Sequence, residues 1–343
     1  MVDEWRMFVK KLLPILLLAV LLLGVLPNVS ASTVKDARKH AEDTLLPLEG
    51  VAGISHIEKP PTIIVYLEHE KYRGMIPNEI MGYRTTVIVS GRIKALALVE
   101  PETIVTPLFT YPKPVSRTGI VRPIVGGVSL GVPETAFGGA MAGTLGVVTD
   151  NLYILSCAHV IAMDSNAKFL KKGTPVLQPG TIDGGTGADQ VGTLYKYIKI
   201  TFGGRSIRSP NYADAAIATL TLTTSEYLNL ELLGADNQNT YTISGTTTVS
   251  VGETVKKSGR TSGVTPGTVS STFATVKVYY TSTTWAIFTD QILVNQPFGQ
   301  AGDSGSLVDK DKKFVGLLFA GSDTITVVCK ASYILQGLPI TVT

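Results

Sequence analysis

Apolar positions follow two regimes along the chain. Between residues 33 and 47, Ala37, Ala41, Leu45 and Leu46 recur at helical spacing, charged residues fill the other faces, and Gly50 ends the pattern. This predicts a helix over 33–47. Strands are predicted at 51–57 and 62–68, with Lys59-Pro60-Pro61 as the turn between them. A short helix at 77–81 and a strand at 85–90 complete a small α/β unit. Pro101, Pro107, Pro112, Pro114 and Pro123 then punctuate a stretch of little periodicity, which reads as a linker or the approach to a second domain. Short β-type runs follow at 142–148, 153–156, 191–200, 215–222, 247–251, 268–280, 285–294, 314–320 and 324–329. Gly, Thr, Ser and Asn clusters separate them, and a short helix over 331–338 closes the chain. Many short strands with turn signals predict a sandwich or barrel.

The N-terminus carries a different pattern. Lys10-Lys11 precede an apolar run over 12–26, and Val29-Ser30-Ala31 offers small residues for cleavage. The run is shorter than the roughly 20 residues a spanning helix needs, so residues 1–31 read as a removable signal peptide, with a membrane anchor as the alternative. A secreted or extracytoplasmic protein is expected. It meets a membrane only if that segment is retained.

Composition narrows the function classes. The chain has 343 residues, 44% hydrophobic and 17% charged, enough for two domains with full cores. Its net charge is +3, with no basic stripe and no aromatic–basic interleaving, which argues against nucleic acid. His40, His56 and His69 lie among charged neighbours without metal-ligand spacing and read as surface or structural histidines; no metal and no cofactor is expected. The loop from Asp183 to Asp189 is Gly-rich but lacks the Lys-Ser/Thr of a phosphate cradle. Cys157 and Cys329 are the two cysteines. They would pair in an oxidising compartment or serve as small buried hydrophobes.

The candidate chemistry centres on Gly302-Asp303-Ser304-Gly305-Ser306. A serine hydroxyl needs a base to take its proton and donors to hold the oxyanion, and glycine-flanked turns can aim backbone N–H groups at one point. His159 is the only histidine after residue 69. Asp214 opens an apolar run, where a carboxylate is costly unless paired. The order His, Asp, Ser is one of three known for this triad, and no histidine follows Ser304, which excludes the α/β-hydrolase order.

On these residues the stretch 119–343 resembles a chymotrypsin-like serine protease. The resemblance rests on Ser156-Cys157-Ala158-His159-Val160, Ala213-Asp214-Ala215-Ala216-Ile217 and Gly302-Asp303-Ser304-Gly305. The segment Val255-Lys256-Lys257-Ser258-Gly259-Arg260-Thr261-Ser262-Gly263, followed by Gly267-Thr268-Val269, is similar to the alpha-lytic-protease branch. The resemblance implies a mainly β fold of two six-stranded antiparallel barrels. It implies a preceding α/β unit over 32–100, as a pro-segment or a permanent accessory domain, and a Pro-rich linker over 101–118.

It also implies roles. Ser304 is the nucleophile, His159 the general base and later acid, and Asp214 orients His159. The N–H groups of Gly302 and Ser304 form the oxyanion hole. Asp303 pairs structurally with Lys257. Phe298, Phe319 and Gly321 shape the primary pocket, where an apolar side chain of small or medium size fits. Ile124-Val125-Gly126-Gly127 is similar to a zymogen's mature N-terminus, but Pro123 precedes it and Lys257 is available to Asp303, so activation by a new amine is not expected. The implied function is a secreted serine endopeptidase acting on polypeptides through an acyl-enzyme. The alternative is an inactive pseudoprotease that binds peptides. Oligomeric state is not encoded in any of these patterns.

Overall fold

A computed structural model describes residues 32–98 and 116–343; the predicted signal peptide and most of the predicted linker lie outside the described residues. The helix Val34–Leu45 opens with a capping box. Thr33 Oγ1 accepts from Asp36 N at 3.2 Å, and Asp36 Oδ2 accepts from Thr33 N at 2.8 Å. Its Ala37, Ala41 and Leu45 face packs on a sheet through Ile54, Ile63, Val65 and Leu67. Strands Val51–Glu58 and Pro61–Leu67 form an antiparallel hairpin, and Tyr83–Val89 runs parallel to the second of them. The helix expected at 77–81 is not there. The turn of 3-10 helix comes earlier, at Glu70–Met75, and Glu79–Ile80 is a strand that pairs back onto Tyr83–Val89. The reason is local: Met81 and Gly82 both take positive φ, 50° and 82°, which makes a tight hairpin turn rather than a helical one.

Residues 116–343 are mainly β and form two large curled sheets and a small two-stranded one, Ser129–Leu130 with Gly143–Thr144. In the second, Thr254–Gly259, Leu307–Lys310, Lys313–Gly321, Ile325–Lys330, Trp285–Asn295 and Gly263–Tyr279 pair antiparallel in that order, and the first also pairs with the last. The first sheet departs from the expected all-antiparallel pattern. Its order is Pro175–Leu177, Gln190–Tyr197, Ala216–Leu220, Tyr153–Ser156, Val147–Val148, Tyr227–Leu233 and Thr240–Thr242. Tyr227–Leu233 runs parallel to both Val147–Val148 and Ile124–Gly126. The run at 247–251 is not a strand; Thr246 makes only an isolated bridge to Phe314. Arg117, inside the expected linker, is buried and donates to Gly127 O, Leu233 O and Ser258 Oγ.

The two units share one sheet. Val51–Glu58 pairs with Gly263–Tyr279 at Gly53↔Val276 and Ile54↔Thr275. Thr275 Oγ1 donates to Glu42 at 2.7 Å, and Arg38 Nη1 donates to Phe273 O at 2.7 Å. The His56 ring lies 5.8 Å from that of Phe273.

Candidate active site

Strand pairing brings His159 and Asp214 together. Ser156 ends the strand Tyr153–Ser156 opposite Ala216, which opens the strand Ala216–Leu220. The next residues therefore emerge side by side: the short helix Ala158–Ile161 presents His159, and Asp214 lies just before its strand. His159 Nδ1 is 2.7 Å from Asp214 Oδ2, and His159 N donates to Asp214 Oδ1 at 3.2 Å. Both residues are buried.

A buried carboxylate needs donors to stay ionised. Burial pushes the Asp214 carboxyl up, but the His159 ring, the Tyr280 hydroxyl and the His159 N–H together hold it below the usual carboxylate range. The carboxylate keeps the imidazole proton on Nδ1 and leaves Nε2 as an acceptor. That Nε2 is buried and has no hydrogen-bond partner among the described residues.

Tyr280 was not foreseen. It stands one residue beyond the strand Gly263–Tyr279, and its hydroxyl donates to Asp214 Oδ2 at 2.7 Å. It is a third donor to the buried carboxylate, beside the His159 ring and the His159 N–H. Replacing Tyr280 by Phe removes a hydrogen bond to a charged group, worth roughly 1.5–3 kcal/mol. We expect kcat to fall by about ten- to a hundredfold if that support is felt in the transition state. Without the phenol the Asp214 carboxyl rises. A depressed carboxyl stabilises the fold above its ordinary range and loses that contribution as pH falls through the depressed value. The acid limb of the unfolding curve should therefore move to higher pH in Tyr280→Phe. A fall in kcat with no such movement would mean the tyrosine acts elsewhere.

Ser304 sits on a turn that two glycines make possible. Gly302 and Gly305 have φ of 91° and 95°. A Cβ at Gly302 would come within 2.2 Å of Thr261 Oγ1, and one at Gly305 within 2.3 Å of Thr144 O. Asp303 anchors the turn from inside. It accepts from Thr261 N, Ser262 N and Gln300 N at 2.9, 3.1 and 3.0 Å, and from Ser262 Oγ at 2.5 Å. Lys257 Nζ is 3.3 Å from Asp303 Oδ2, with both side chains fully buried. Ile124 is an interior strand residue whose N donates to Glu226 O, far from the role of a terminal amine.

The hydroxyl of Ser304 does not bond to His159. It donates to Phe319 O at 3.0 Å and accepts from Leu96 N at 3.1 Å. Gly302 N, one of the two expected oxyanion donors, donates to Leu96 O at 2.5 Å. Attack by Ser304 thus requires its side chain to turn from Phe319 O toward His159 Nε2.

The expected pocket residues divide. Gly321 lines the space: a Cβ there would meet Leu96 Cδ1 at 3.0 Å. Phe319 contributes its carbonyl, while its ring packs 4.8 Å from that of Phe288 in the core. Phe298 is buried with Val255, Val269, Val294 and Leu318 as part of the apolar wall.

The structure decides between the two readings of the cysteines. Cys157 and Cys329 are free buried thiols, not a disulfide. Each points at a carbonyl of the strand Lys313–Gly321 rather than at the other sulfur: Cys157 Sγ is 3.4 Å from Leu318 O, and Cys329 Sγ is 3.6 Å from Leu317 O. Burial pushes the Cys157 thiol well up and that of Cys329 to about 12, so neither competes with Ser304 as a nucleophile. The Gly-rich loop at 183–189 is tied to the interior at its start, where Asp183 forms an ion pair with the buried Arg260 and accepts from Ser129 Oγ at 2.6 Å.

No family model and no curated protein matches the sequence. Among solved structures, the chain is similar to chymotrypsin-like serine proteases. One is a glutamic acid specific serine protease, at 20% identity over 64% of this chain and 100% of that one, with a TM-score of 0.45. A chymotrypsin of Cellulomonas bogoriensis is 17% identical over 64% of this chain and 97% of its own, with a TM-score of 0.43. The alpha-lytic protease homolog N4 is 16% identical over 62% and 95%, with a TM-score of 0.41. At these identities the likeness concerns the arrangement of the strands.

Proposed function

We propose that this chain is an extracytoplasmic serine endopeptidase that cleaves polypeptides through a His159–Asp214–Ser304 triad. The carrying observation is the coincidence of three features at one point. Gly302 N–H holds the carbonyl of Leu96, the Ser304 hydroxyl accepts from the N–H of the same residue, and a buried Asp214 fixes the proton on His159 Nδ1. Once Ser304 turns to His159 Nε2, the imidazole takes its proton as the oxygen attacks the carbonyl carbon. The Gly302 donor, aimed beforehand, then stabilises the oxyanion without reorganising. The α/β unit over 32–98 serves this domain as a pro-segment or docked accessory. The export reading rests on the charged and apolar pattern of residues 1–26.

A fluorophosphonate probe tests the reading on the full chain. Labelling that vanishes in Ser304→Ala supports an activated serine. The unmade Ser304–His159 bond favours a second reading, a peptide-binding module, which would hold peptides yet stay unlabelled under all conditions.

Docking of the α/β unit should depend on pH. His56 is buried at the junction, and its ring nitrogens have no hydrogen-bond partner among the described residues. Burial, Arg38 and Lys35 push it below its ordinary value of 6.5, against the pull of Glu58. Arg38, Lys35 and Glu58 stay with His56 when the units part, so it is the burial against Phe273 that makes the docked state bind fewer protons than the separated units. Docking holds above about pH 6.5 and weakens as pH falls through the lowered value. After any cut between the units, size-exclusion at pH 7.5 and pH 5 should show release at the lower pH, and His56→Gln should abolish the difference.

A further inference from the structure

The segment from Ile93 to Leu98 lies in the cleft as an extended strand. Leu96 N donates to Phe319 O at 3.2 Å, and Ala95 and Lys94 stand opposite Ala320 and Gly321. On its other edge Lys94 pairs parallel with Tyr279, whose N donates to Ile93 O at 3.0 Å. The segment thus fills a slot between two strands, with backbone bonds on both sides. Beyond Ser304 the chain is held again, since Leu98 N donates to Ala142 O at 2.9 Å and Ala142 N to Leu98 O at 3.1 Å. Two peptide bonds, Leu96–Ala97 and Ala97–Leu98, fall between these anchors, and the carbonyl of the first is the one on Gly302 N–H.

The side chains agree with the backbone. Leu96 packs on the apolar cluster that contains Phe298 and Leu318, and against Gly321. A larger residue than glycine at 321 would intrude on it. Ala95 and Ala97, on either side, leave a cavity of about 120 Å³ lined by Phe137, His159, Met163 and Tyr280. The site therefore holds a leucine-sized apolar side chain at position 96, with spare room beside the alanines on either side.

We infer that the first substrate of this site is the chain itself, cut between Leu96 and Ala97. The inference rests on the serine-endopeptidase reading and adds the bond and the side-chain preference to it. A segment held only as a plug would need no anchor beyond Ser304. Here the chain is fixed on both sides of Ser304, and of the two peptide bonds between only Leu96–Ala97 has its carbonyl on Gly302 N–H, which is how an enzyme aligns a reacting carbonyl.

The steps balance as follows. A bond forms between Ser304 Oγ and the Leu96 carbonyl carbon, and the hydroxyl proton passes to His159 Nε2. The Leu96–Ala97 C–N bond breaks, and His159 returns the proton to the departing Ala97 amine. Water then attacks the Leu96 ester and gives a proton to His159. Ser304 recovers that proton, and a Leu96 carboxylate leaves the acyl linkage. No oxidant or metal takes part.

The test uses the full chain, followed by intact mass, N-terminal sequencing and fluorophosphonate labelling in one time course. Wild type should yield a new N-terminus at Ala97, and Ser304→Ala should stay uncut. Leu96→Met should be cut within about tenfold of the wild-type rate, being a swap of similar volume. Leu96→Asp places a charge against the apolar wall, so cutting at this bond should slow at least about a hundredfold. The same variant should loosen the segment and label faster than uncut wild type. A labelled chain whose first cut lies elsewhere, or Leu96→Asp cut at Leu96–Ala97 like wild type, overturns the inference alone. Absence of labelling in both wild type and Leu96→Asp overturns the endopeptidase reading and the inference with it.

Discussion

Alanine at Ser304 is expected to lower peptide hydrolysis by about a millionfold, and alanine at His159 by about the same factor. The reason is that the two act as one unit. Without His159 the hydroxyl has no acceptor for its proton except the carbonyl of Phe319, which cannot take it. Without Ser304 the imidazole has only water to activate, in a slot already filled by residues 93–98. The double variant should be no slower than either single one, because the second change removes nothing the first left working. What remains, roughly 10³–10⁴ over water, would come from Gly302 N–H and strand binding alone. The fold should survive the change. Ser304 makes two hydrogen bonds of ordinary length, to Phe319 O and from Leu96 N, and a net bond is worth about 1 kcal/mol. Steady-state rates on a peptide ending in leucine before the cut, beside urea unfolding of the same samples, check both halves. Near-normal rates in folded His159→Ala would remove the triad from the account, since burial leaves Cys157 and Cys329 too weakly acidic to stand in.

Much of this site could be read from the chain because each of its parts is local. A strand followed by Ser156-Cys157-Ala158-His159, an Asp opening an apolar run, and a serine between glycines are patterns a few residues long. The meeting of His159 and Asp214 depends on one antiparallel register, Ser156↔Ala216, which the two apolar runs imply without stating it. Lys257 was legible only through the family resemblance, which paired it with Asp303; its Nζ lies 3.3 Å from Asp303 Oδ2. Tyr280 was not legible: nothing near it in sequence marks a tyrosine that reaches Asp214, 66 residues away. The 93–98 segment was hidden for the opposite reason. Its residues look like a fading strand before the prolines, and only the edges of Gly263–Tyr279 and Lys313–Gly321 give it partners. The helix misread at 77–81 shows the limit of periodicity over short spans, where positive φ at Met81 and Gly82 decides the outcome. The cysteines show it for pairs, because what decided them was the direction of each thiol.

Lys257→Met is expected to destabilise the fold by about 3 kcal/mol, at the lower end of what breaking a buried ion pair costs. Burial pushes the Lys257 ammonium down from its ordinary value, and Asp303 recovers only part of that. The native state therefore releases this proton at lower pH than the unfolded chain, and the lysine's own contribution grows more favourable as pH rises through its lowered value. The pair is thus no great source of stability against an apolar replacement. Its halves cannot be separated cheaply, because either one alone is a buried charge. The two losses are unequal, however. Asp303 keeps Thr261 N, Ser262 N, Ser262 Oγ and Gln300 N as donors when Lys257 goes. Lys257 keeps Ser262 Oγ and Gly263 O when Asp303 goes, but Asp303→Ala also orphans three backbone N–H groups, those of Thr261 and Ser262 on the facing turn and that of Gln300 on the loop leading to Ser304. Asp303→Ala should therefore cost more than Lys257→Met, and it should slow Ser304 labelling further, since Gly302 N–H loses its fixed aim. Urea unfolding with labelling rates on the same variants measures the order. Equal costs, or a Lys257→Met chain as stable as wild type at neutral pH, would mean the turn is held by its glycines and backbone bonds without the buried pair.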